Sequence, residues 1–167
     1  MTDDKTVEIL KNAILLETRG RVFYSKVAEQ ASGKEIKRFF KMMADEETKH
    51  IQILSDQFKA YKQDNEFTPA DYQTDHATQW DSSVLTQALK NEISAADYEA
   101  AAISAAMGME ENAIKLYSDR AVAATDLNEK ALYDWLAKWE MQHLNFLSDI
   151  DKELKEQIWH DNNFWSF

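Results

Sequence analysis

At 167 residues the chain has room for one domain with a full-sized core, and 44% apolar residues with only three glycines and one proline favour a mostly helical fold. The formal net charge of −11 argues against a surface that binds nucleic acid or an anionic membrane, since either needs clustered Lys and Arg, but it suits the attraction of cations. The chain has no cysteine, which excludes disulfides, iron–sulfur clusters and any cysteine-ligated electron-transfer domain within it.

No targeting signal is visible at the start of the sequence. The first residues show no basic segment followed by an apolar run, and no stretch approaches the roughly eighteen apolar residues of a membrane-spanning helix. We therefore expect a cytoplasmic protein with neither a membrane nor a nucleic acid as partner.

The first two predicted helices form a hairpin over residues 6–62. Apolar residues recur at helical spacing over 6–31 and again over 34–62, and a Ser-Gly pair between them supplies the turn. Glu17 falls on the apolar face of the first helix, and Glu47 and His50 fall on that of the second. Charged side chains therefore stand where core residues belong.

A second hairpin is predicted over residues 95–157. Before it, residues 63–94 are polar and contain the only proline, so we interpret them as one long crossover with a short helix over 84–93. The hairpin should consist of helices over 95–124 and 127–157, with Asp126 as the N-cap of the latter. Its apolar faces again include residues with ionisable side chains, namely Glu110, Glu140 and His143.

The tail, residues 158–167, contains two Trp and two Phe. This is more apolar than an isolated surface segment should be. We expect the tail to cover an exposed end of the core or a partner subunit, and we predict a homodimer or larger assembly.

An internal repeat relates the two hairpins. Residues 13–56 align without a gap on residues 106–149, with thirteen identities in forty-four positions. The matched residues include four with functional side chains: Glu17 with Glu110, Tyr24 with Tyr117, Glu47 with Glu140, and His50 with His143. Both copies of the second helix therefore carry Glu-x-x-His, whose spacing places a carboxylate beside an imidazole on one helix face.

The repeat also fixes the height of these residues in the fold. Glu17 and Glu47 are equally far from the turn at residue 32, and Glu110 and Glu140 are equally far from the turn at residue 125. Each carboxylate should thus lie about 22 Å from its own turn. If a two-fold axis relates the hairpins, all six groups meet in one layer of an antiparallel four-helix bundle with one long crossover, all of it a single domain.

Four buried carboxylates need a physical explanation. Burying one without a partner costs several kcal/mol, and four in contact repel one another. Two divalent metal ions would neutralise the set, and carboxylate with imidazole suits iron or manganese, with zinc as a further occupant in a purified sample. One Glu from each of two helices and Glu-x-x-His from the other two is the ligand pattern of ferritin-like di-iron proteins.

At these residues the chain resembles the rubrerythrin-type branch of the ferritin-like superfamily, from about Thr6 to Glu156. The residues that carry the resemblance are Ala13 to Glu17, Arg21, Tyr24, Glu47 to His50, Glu110, Tyr117 and Glu140 to His143. The resemblance implies a non-haem di-iron site that reacts with hydrogen peroxide or dioxygen. Typical members carry a rubredoxin domain, absent here, and an extra carboxylate where this chain has Ala113. A separate electron-donor protein and a more symmetric site are therefore expected.

We assign the six metal ligands as follows. Glu47 and Glu140 should bridge two metals, while Glu17 with His50 and Glu110 with His143 complete one metal each. Exchange of the two imidazoles between the metals remains possible. Tyr24 and Tyr117 lie close to two helical turns after Glu17 and Glu110, so they either donate a hydrogen bond to a ligand carboxylate or serve as plain core residues.

Other polar residues are expected at the surface. Glu46 and Glu111 neighbour ligands but have Trp139 and Thr18 as repeat counterparts, so we interpret both as solvated charges. His76 and His160 are also placed at the surface, and Arg21 either reaches solvent, which is favoured, or pairs with a carboxylate near the site.

Three functions follow in order of preference. The first is an oxidoreductase that reduces hydrogen peroxide or dioxygen at two iron ions with electrons from a separate donor. The second is a ferroxidase that handles iron. The third is a structural or binding bundle whose metal only holds the core.

Overall fold

The computed structural model describes residues 2–72, 87–89, 91–93 and 98–161. These residues form four long α-helices and no β-strand: α1 (Thr2–Gln30), α2 (Lys34–Asp64), α3 (Tyr98–Ala123) and α4 (Leu127–Asp161). The predicted all-α, ferritin-like four-helix bundle is confirmed. In the part of the chain so described, no helix is long and apolar enough to cross a membrane.

The helices pack as two antiparallel hairpins. α1 lies along α2, α3 lies along α4, and α1 also contacts α3. Buried side chains form two hydrophobic clusters at opposite ends of the bundle. One joins the end of α1, the start of α2, the start of α3 and the end of α4, and includes Val27, Phe40, Ile103 and Leu147. The other joins the opposite ends and includes Leu10, Leu54, Ala121 and Leu136.

The described parts of the crossover reach both ends of the bundle. Phe67 belongs to the cluster at the end of α2, whereas Leu89 and Ile93 belong to the cluster at the start of α3. The crossover therefore runs the length of the bundle, as the repeat predicted. Residues 87–89 and 91–92 of the predicted short helix are helical, and its residues 84–86 and 90 lie outside the described residues.

The crossover also caps α2. The N-cap residue Gly33 has no side chain to accept from the first backbone N–H groups of the helix. Glu92 takes over this role, because its Oε2 accepts from the backbone N–H of Glu35 at 2.8 Å and of Ile36 at 3.0 Å. A carboxylate at this end is further favoured by the helix dipole.

Asp126 caps α4 as predicted. Its Oδ1 accepts from the backbone N–H of Asn128 at 2.7 Å and of Glu129 at 3.0 Å. Glu129 then accepts from Arg120 Nε at 2.7 Å, which ties α3 to α4 beside the turn.

Three helices are longer than predicted, and α2 ends at Asp64 rather than at residue 62. α1 begins at Thr2 rather than Thr6, since neither Gly nor Pro precedes Thr6 to stop it. α4 continues to Asp161, into the segment interpreted as a tail, because neither Gly nor Pro interrupts residues 158–161. Residues 162–167, which carry most of the tail's aromatic side chains, lie outside the described residues, so the predicted covering role stays a prediction.

Candidate metal centre

The six predicted ligands meet between the two hydrophobic clusters. Each helix contributes at least one of them, and all six are no more than 3% exposed: Glu17, Glu47, His50, Glu110, Glu140 and His143. The equal distances to the two turns, read from the sequence, thus correspond to one layer of the bundle.

The six side chains divide into two groups of four. One group is Glu17, Glu47, His50 and Glu140, and the other is Glu47, Glu110, Glu140 and His143. In each group, one potential ligand atom per residue lies within 4.8 Å of the others. Glu47 and Glu140 belong to both groups, which is the arrangement that two bridging carboxylates require.

Both imidazoles turn Nδ1 toward the carboxylates. His50 Nδ1 lies 2.9 Å from Glu140 Oε1, 3.2 Å from Glu17 Oε2 and 3.4 Å from Glu47 Oε2. His143 Nδ1 lies 3.1 Å from Glu140 Oε2 and 3.6 Å from Glu110 Oε1. Glu17 and Glu110 each belong to one group only, and we call them the outer carboxylates. Glu17 therefore lies beside His50, and Glu110 lies beside His143.

Two tyrosines bind the outer carboxylates across the hairpins. The Tyr24 hydroxyl of the first hairpin donates to Glu110 of the second, and the Tyr117 hydroxyl of the second donates to Glu17 of the first. Burial and the nearby carboxylates raise the pKa of both tyrosines well above the ordinary value, so both hydroxyls keep their protons as donors. The Tyr117 hydroxyl binds Oε1 of Glu17 and leaves Oε2 near His50. In Glu110, Tyr24 and His143 both approach the same oxygen, Oε1.

The pKa values of the carboxyl groups are shifted in opposite directions. Burial, then the charges of Glu140 and Glu17, raise the pKa of Glu47. Burial and Glu140 likewise raise the pKa of Glu110 to about 7. For Glu140, burial again disfavours the charge, but His50 and His143 outweigh it and lower the pKa.

The imidazoles hold protons more tightly than usual. Burial disfavours the charged form of His50, but Glu140, Glu17 and Glu47 outweigh burial and raise its pKa well above the ordinary value. The pKa of His143 rises in the same way through Glu110 and Glu140. In the metal-free cluster, protons therefore supply part of the positive charge that metal ions would supply.

A cavity of about 140 Å³ opens onto the carboxylates between α1 and α3. Four pairs of repeat counterparts supply most of its lining: Leu16 with Met109, Glu17 with Glu110, Arg19 with Asn112, and Gly20 with Ala113. Glu47 and Glu140, which are also repeat counterparts, complete it with Tyr24. The cavity therefore follows the pseudo-two-fold relation of the hairpins.

Arg19, Gly20 and Asn112 also line the cavity, and none of them was predicted as part of the site. The repeat could have indicated Gly20 as part of the site, because Gly20 and its counterpart Ala113 are both small and each follows a predicted ligand by three residues. Small side chains at both positions leave the space that the cavity occupies. A Cβ built on Gly20 would lie 3.5 Å from Glu47 Cδ, so the helix backbone passes close to that carboxylate.

The prediction for Glu46 was wrong. Its side chain is 3% exposed rather than solvated, and its Oε1 lies 3.2 Å from Lys49 Nζ. Glu46 nevertheless belongs to neither group of four. Glu111 and His160 are exposed and Arg21 is half-buried, while His76 lies outside the described residues.

Two groups of buried Glu and His that share two carboxylates, on four helices of a bundle, define a candidate di-metal carboxylate protein of the ferritin-like class. The rubrerythrin family model matches residues 8–150. The chain therefore belongs to the rubrerythrin family, a family of di-iron proteins. Comparisons with curated proteins and with solved structures give no significant match.

Proposed function

We propose that this protein is a di-iron oxidoreductase that reduces hydrogen peroxide, or dioxygen, with electrons from a separate donor protein. The observation that carries the proposal is the sharing of Glu47 and Glu140 by two otherwise distinct ligand groups in a closed core. Family membership supports an oxidoreductase or iron-handling role.

The residues fit a pair of metal ions better than a set of internal ion pairs. Glu140 Oε1 is buried and lies 2.9 Å from His50 Nδ1, yet no residue of the described chain meets it with hydrogen-bond geometry. Four carboxylates also outnumber two imidazoles, so full ionisation leaves excess negative charge in the core. Glu17, Glu47, His50 and Glu140 would hold one ion, and Glu47, Glu110, Glu140 and His143 the other.

Iron bound there would supply the one-electron changes by which peroxide or dioxygen is reduced. The chain supplies the surroundings for this chemistry. The two tyrosine hydroxyls orient the outer carboxylates, and the flanking hydrophobic clusters keep bulk water from the layer.

The lining of the cavity favours a small neutral oxidant over a continuous flow of cations. Leu16, Met109, Asn112 and Arg19 surround the carboxylates, whereas a path for iron ions would be expected to carry further acidic side chains. This observation ranks peroxide reduction above a ferroxidase that passes iron onward.

The test is anaerobic reconstitution with ferrous iron, followed by stopped-flow mixing with peroxide or with dioxygen. We expect binding of two ions per chain and oxidation by peroxide faster than that of free ferrous iron. Uptake of ferric iron far beyond two per chain would favour the ferroxidase. Tight zinc binding with no oxidation of bound iron by either oxidant would leave only the structural bundle.

A further inference from the structure

Three aromatic side chains connect the metal layer with the protein surface on the side of His50. The indole rings of Trp135 and Trp139 lie with centroids 5.5 Å and 5.8 Å from the His50 ring, and 5.5 Å from each other. Tyr72 stacks on Trp135 with centroids 5.3 Å apart. Both indoles are buried, whereas Tyr72 is half-buried, so the series ends at the surface.

The two indoles occur in the second hairpin only and are not repeated in the first. The repeat counterparts of Trp135 and Trp139 are Met42 and Glu46, so the first hairpin does not carry the two indoles at the equivalent positions. The four carboxylates, both imidazoles and both tyrosines of the site each have an identical counterpart in the repeat. The two indoles therefore break a symmetry that the metal layer itself keeps.

Packing alone does not explain an indole at residue 135. Trp135 Nε1 is buried and has no hydrogen-bond acceptor among the described residues, which is unfavourable for a polar N–H group. A phenylalanine would fill much of the same space without this cost. The series also approaches the site from α4, whereas the cavity is walled mainly by α1 and α3.

We propose that Tyr72, Trp135 and Trp139 form a one-electron relay between the surface and the metal layer at His50. The proposal rests on the proposed oxidoreductase function. Electron tunnelling falls off steeply with distance, and each ring here touches the next. Because Trp and Tyr lose electrons only to strong oxidants, the relay would act after peroxide has oxidised the centre and no donor protein is bound.

The electrons balance in three transfers. An indole would give one electron to the oxidised centre and become a radical cation. Tyr72 returns an electron to the indole and releases its phenolic proton to solvent, which leaves a neutral tyrosyl radical. An external one-electron reductant with a transferable hydrogen, such as ascorbate, restores the phenol. Repetition of the cycle would protect the core from damage.

The test uses iron-loaded protein exposed to excess peroxide without reductant, followed by peptide mass spectrometry. Trp159 is the internal control, since it is 68% exposed while Trp135 and Trp139 are 7% and 5% exposed. A relay predicts oxygen-addition products at Tyr72, Trp135 and Trp139 in excess of those at Trp159. Zinc-loaded protein should show the reverse order, because only bulk oxidant then acts. The same order with both metals, or Trp159 dominant with iron, would overturn the relay.

Substitutions separate the relay from packing. Trp135→Phe keeps an aromatic ring but should remove most modification at Tyr72 and most of the organic radical signal in freeze-quenched samples. Trp159→Phe is the matched control and should change neither. Iron content measured on each variant checks that the site is intact. An undiminished radical and unchanged Tyr72 modification in Trp135→Phe would contradict the proposal.

Peroxide consumption in the same samples distinguishes the two proposals. If wild-type protein consumes peroxide but the three rings stay unmodified and no radical forms, the relay is wrong and the proposed function stands. If iron-loaded protein does not consume peroxide, the proposed function is wrong and the relay fails with it.

Discussion

Two adjacent glutamates on α2, Glu46 and Glu47, are equally buried, yet only Glu47 faces the metal layer. The side chain of Glu46 lies on a neighbouring part of the helix surface, where it pairs with Lys49. This contrast gives a sharp test of the ligand assignment, because the two residues share their type, burial and helix.

Changing Glu47 to Gln should lower the metal content and abolish oxidation of bound iron by peroxide. The amide keeps the shape but removes one bridging charge that both ligand groups need. The metal-free bundle should stay folded, since a neutral side chain reduces carboxylate repulsion. Elemental analysis after dialysis measures the loss. Glu46→Gln is the control, and loss of metal from it with retention in Glu47→Gln would contradict the assignment.

Gly20 should control access to the carboxylates. A leucine there would extend from a Cβ already 3.5 Å from Glu47 Cδ and fill the cavity between α1 and α3. We expect Gly20→Leu to slow oxidation by peroxide, and to slow oxidation by a bulky alkyl hydroperoxide still more, in stopped-flow experiments on protein with full ferrous occupancy.

The control for that variant is Gly108→Leu. Gly108 is also helical, but a Cβ there would meet nothing within 4 Å. Both substitutions should favour the helix to a similar extent, by about 1 kcal/mol, because leucine has a higher helix propensity than glycine. Equal oxidation rates in the two variants would show that the oxidant enters elsewhere.

At the scale of helices, the start of α2 depends on a residue from the crossover. Gly33 has an ordinary backbone conformation, with φ of −80°, so it is not needed for its flexibility. It is needed for space, because a Cβ there would lie 2.2 Å from Glu92 Oε2. The small residue and the capping carboxylate therefore act as one unit.

We predict that Gly33→Ala and Glu92→Ala each destabilise the protein by about 1 kcal/mol, the usual value of a helix cap. The double variant should lose little more than either single one, because both changes remove the same two hydrogen bonds. Urea unfolding measures the free energies. Additive losses would mean that the two residues contribute separately.

Much of this organisation could be predicted from the sequence. The repeat predicted which Glu and His side chains cluster, their common layer and the course of the crossover, since residues equally far from a turn meet in an antiparallel pair. The burial of Glu46 could not be read, because α2 buries adjacent residues at 39–40, 43–44 and 46–47, an arc wider than a single stripe. The ring contacts around His50 depend on side-chain packing that helical spacing does not define.

For the whole molecule, the buried charges predict how stability depends on pH. In metal-free protein the raised pKa of Glu110, about 7, favours folding at low pH. That contribution, at most about 3 kcal/mol, is lost as pH rises from the ordinary value of 4.5 through 7. His50 and His143 also have raised pKa values, so their contributions are lost above neutrality. The lowered pKa of Glu140 acts oppositely, but only in acid.

We therefore expect metal-free protein to become less stable from about pH 6 to pH 9, and zinc-loaded protein to change much less over that range. Metal affinity should rise over the same range, because binding displaces protons. Thermal unfolding with and without chelator, with proton release on metal addition, tests both statements. A metal-free protein that gains stability with rising pH would contradict the pKa shifts.

The crossed tyrosine contacts have a consequence for the origin of the chain. Tyr24 of the first hairpin binds Glu110 of the second, and Tyr117 of the second binds Glu17 of the first. The same contact is therefore made in both directions, as in an isologous dimer interface. A single ancestral hairpin could have built all six ligands and both hydrogen bonds by pairing with a copy of itself. Fusion of two such genes would then have freed each half to diverge, and the two halves now differ at the indoles beside His50, where the first half has Met42 and Glu46.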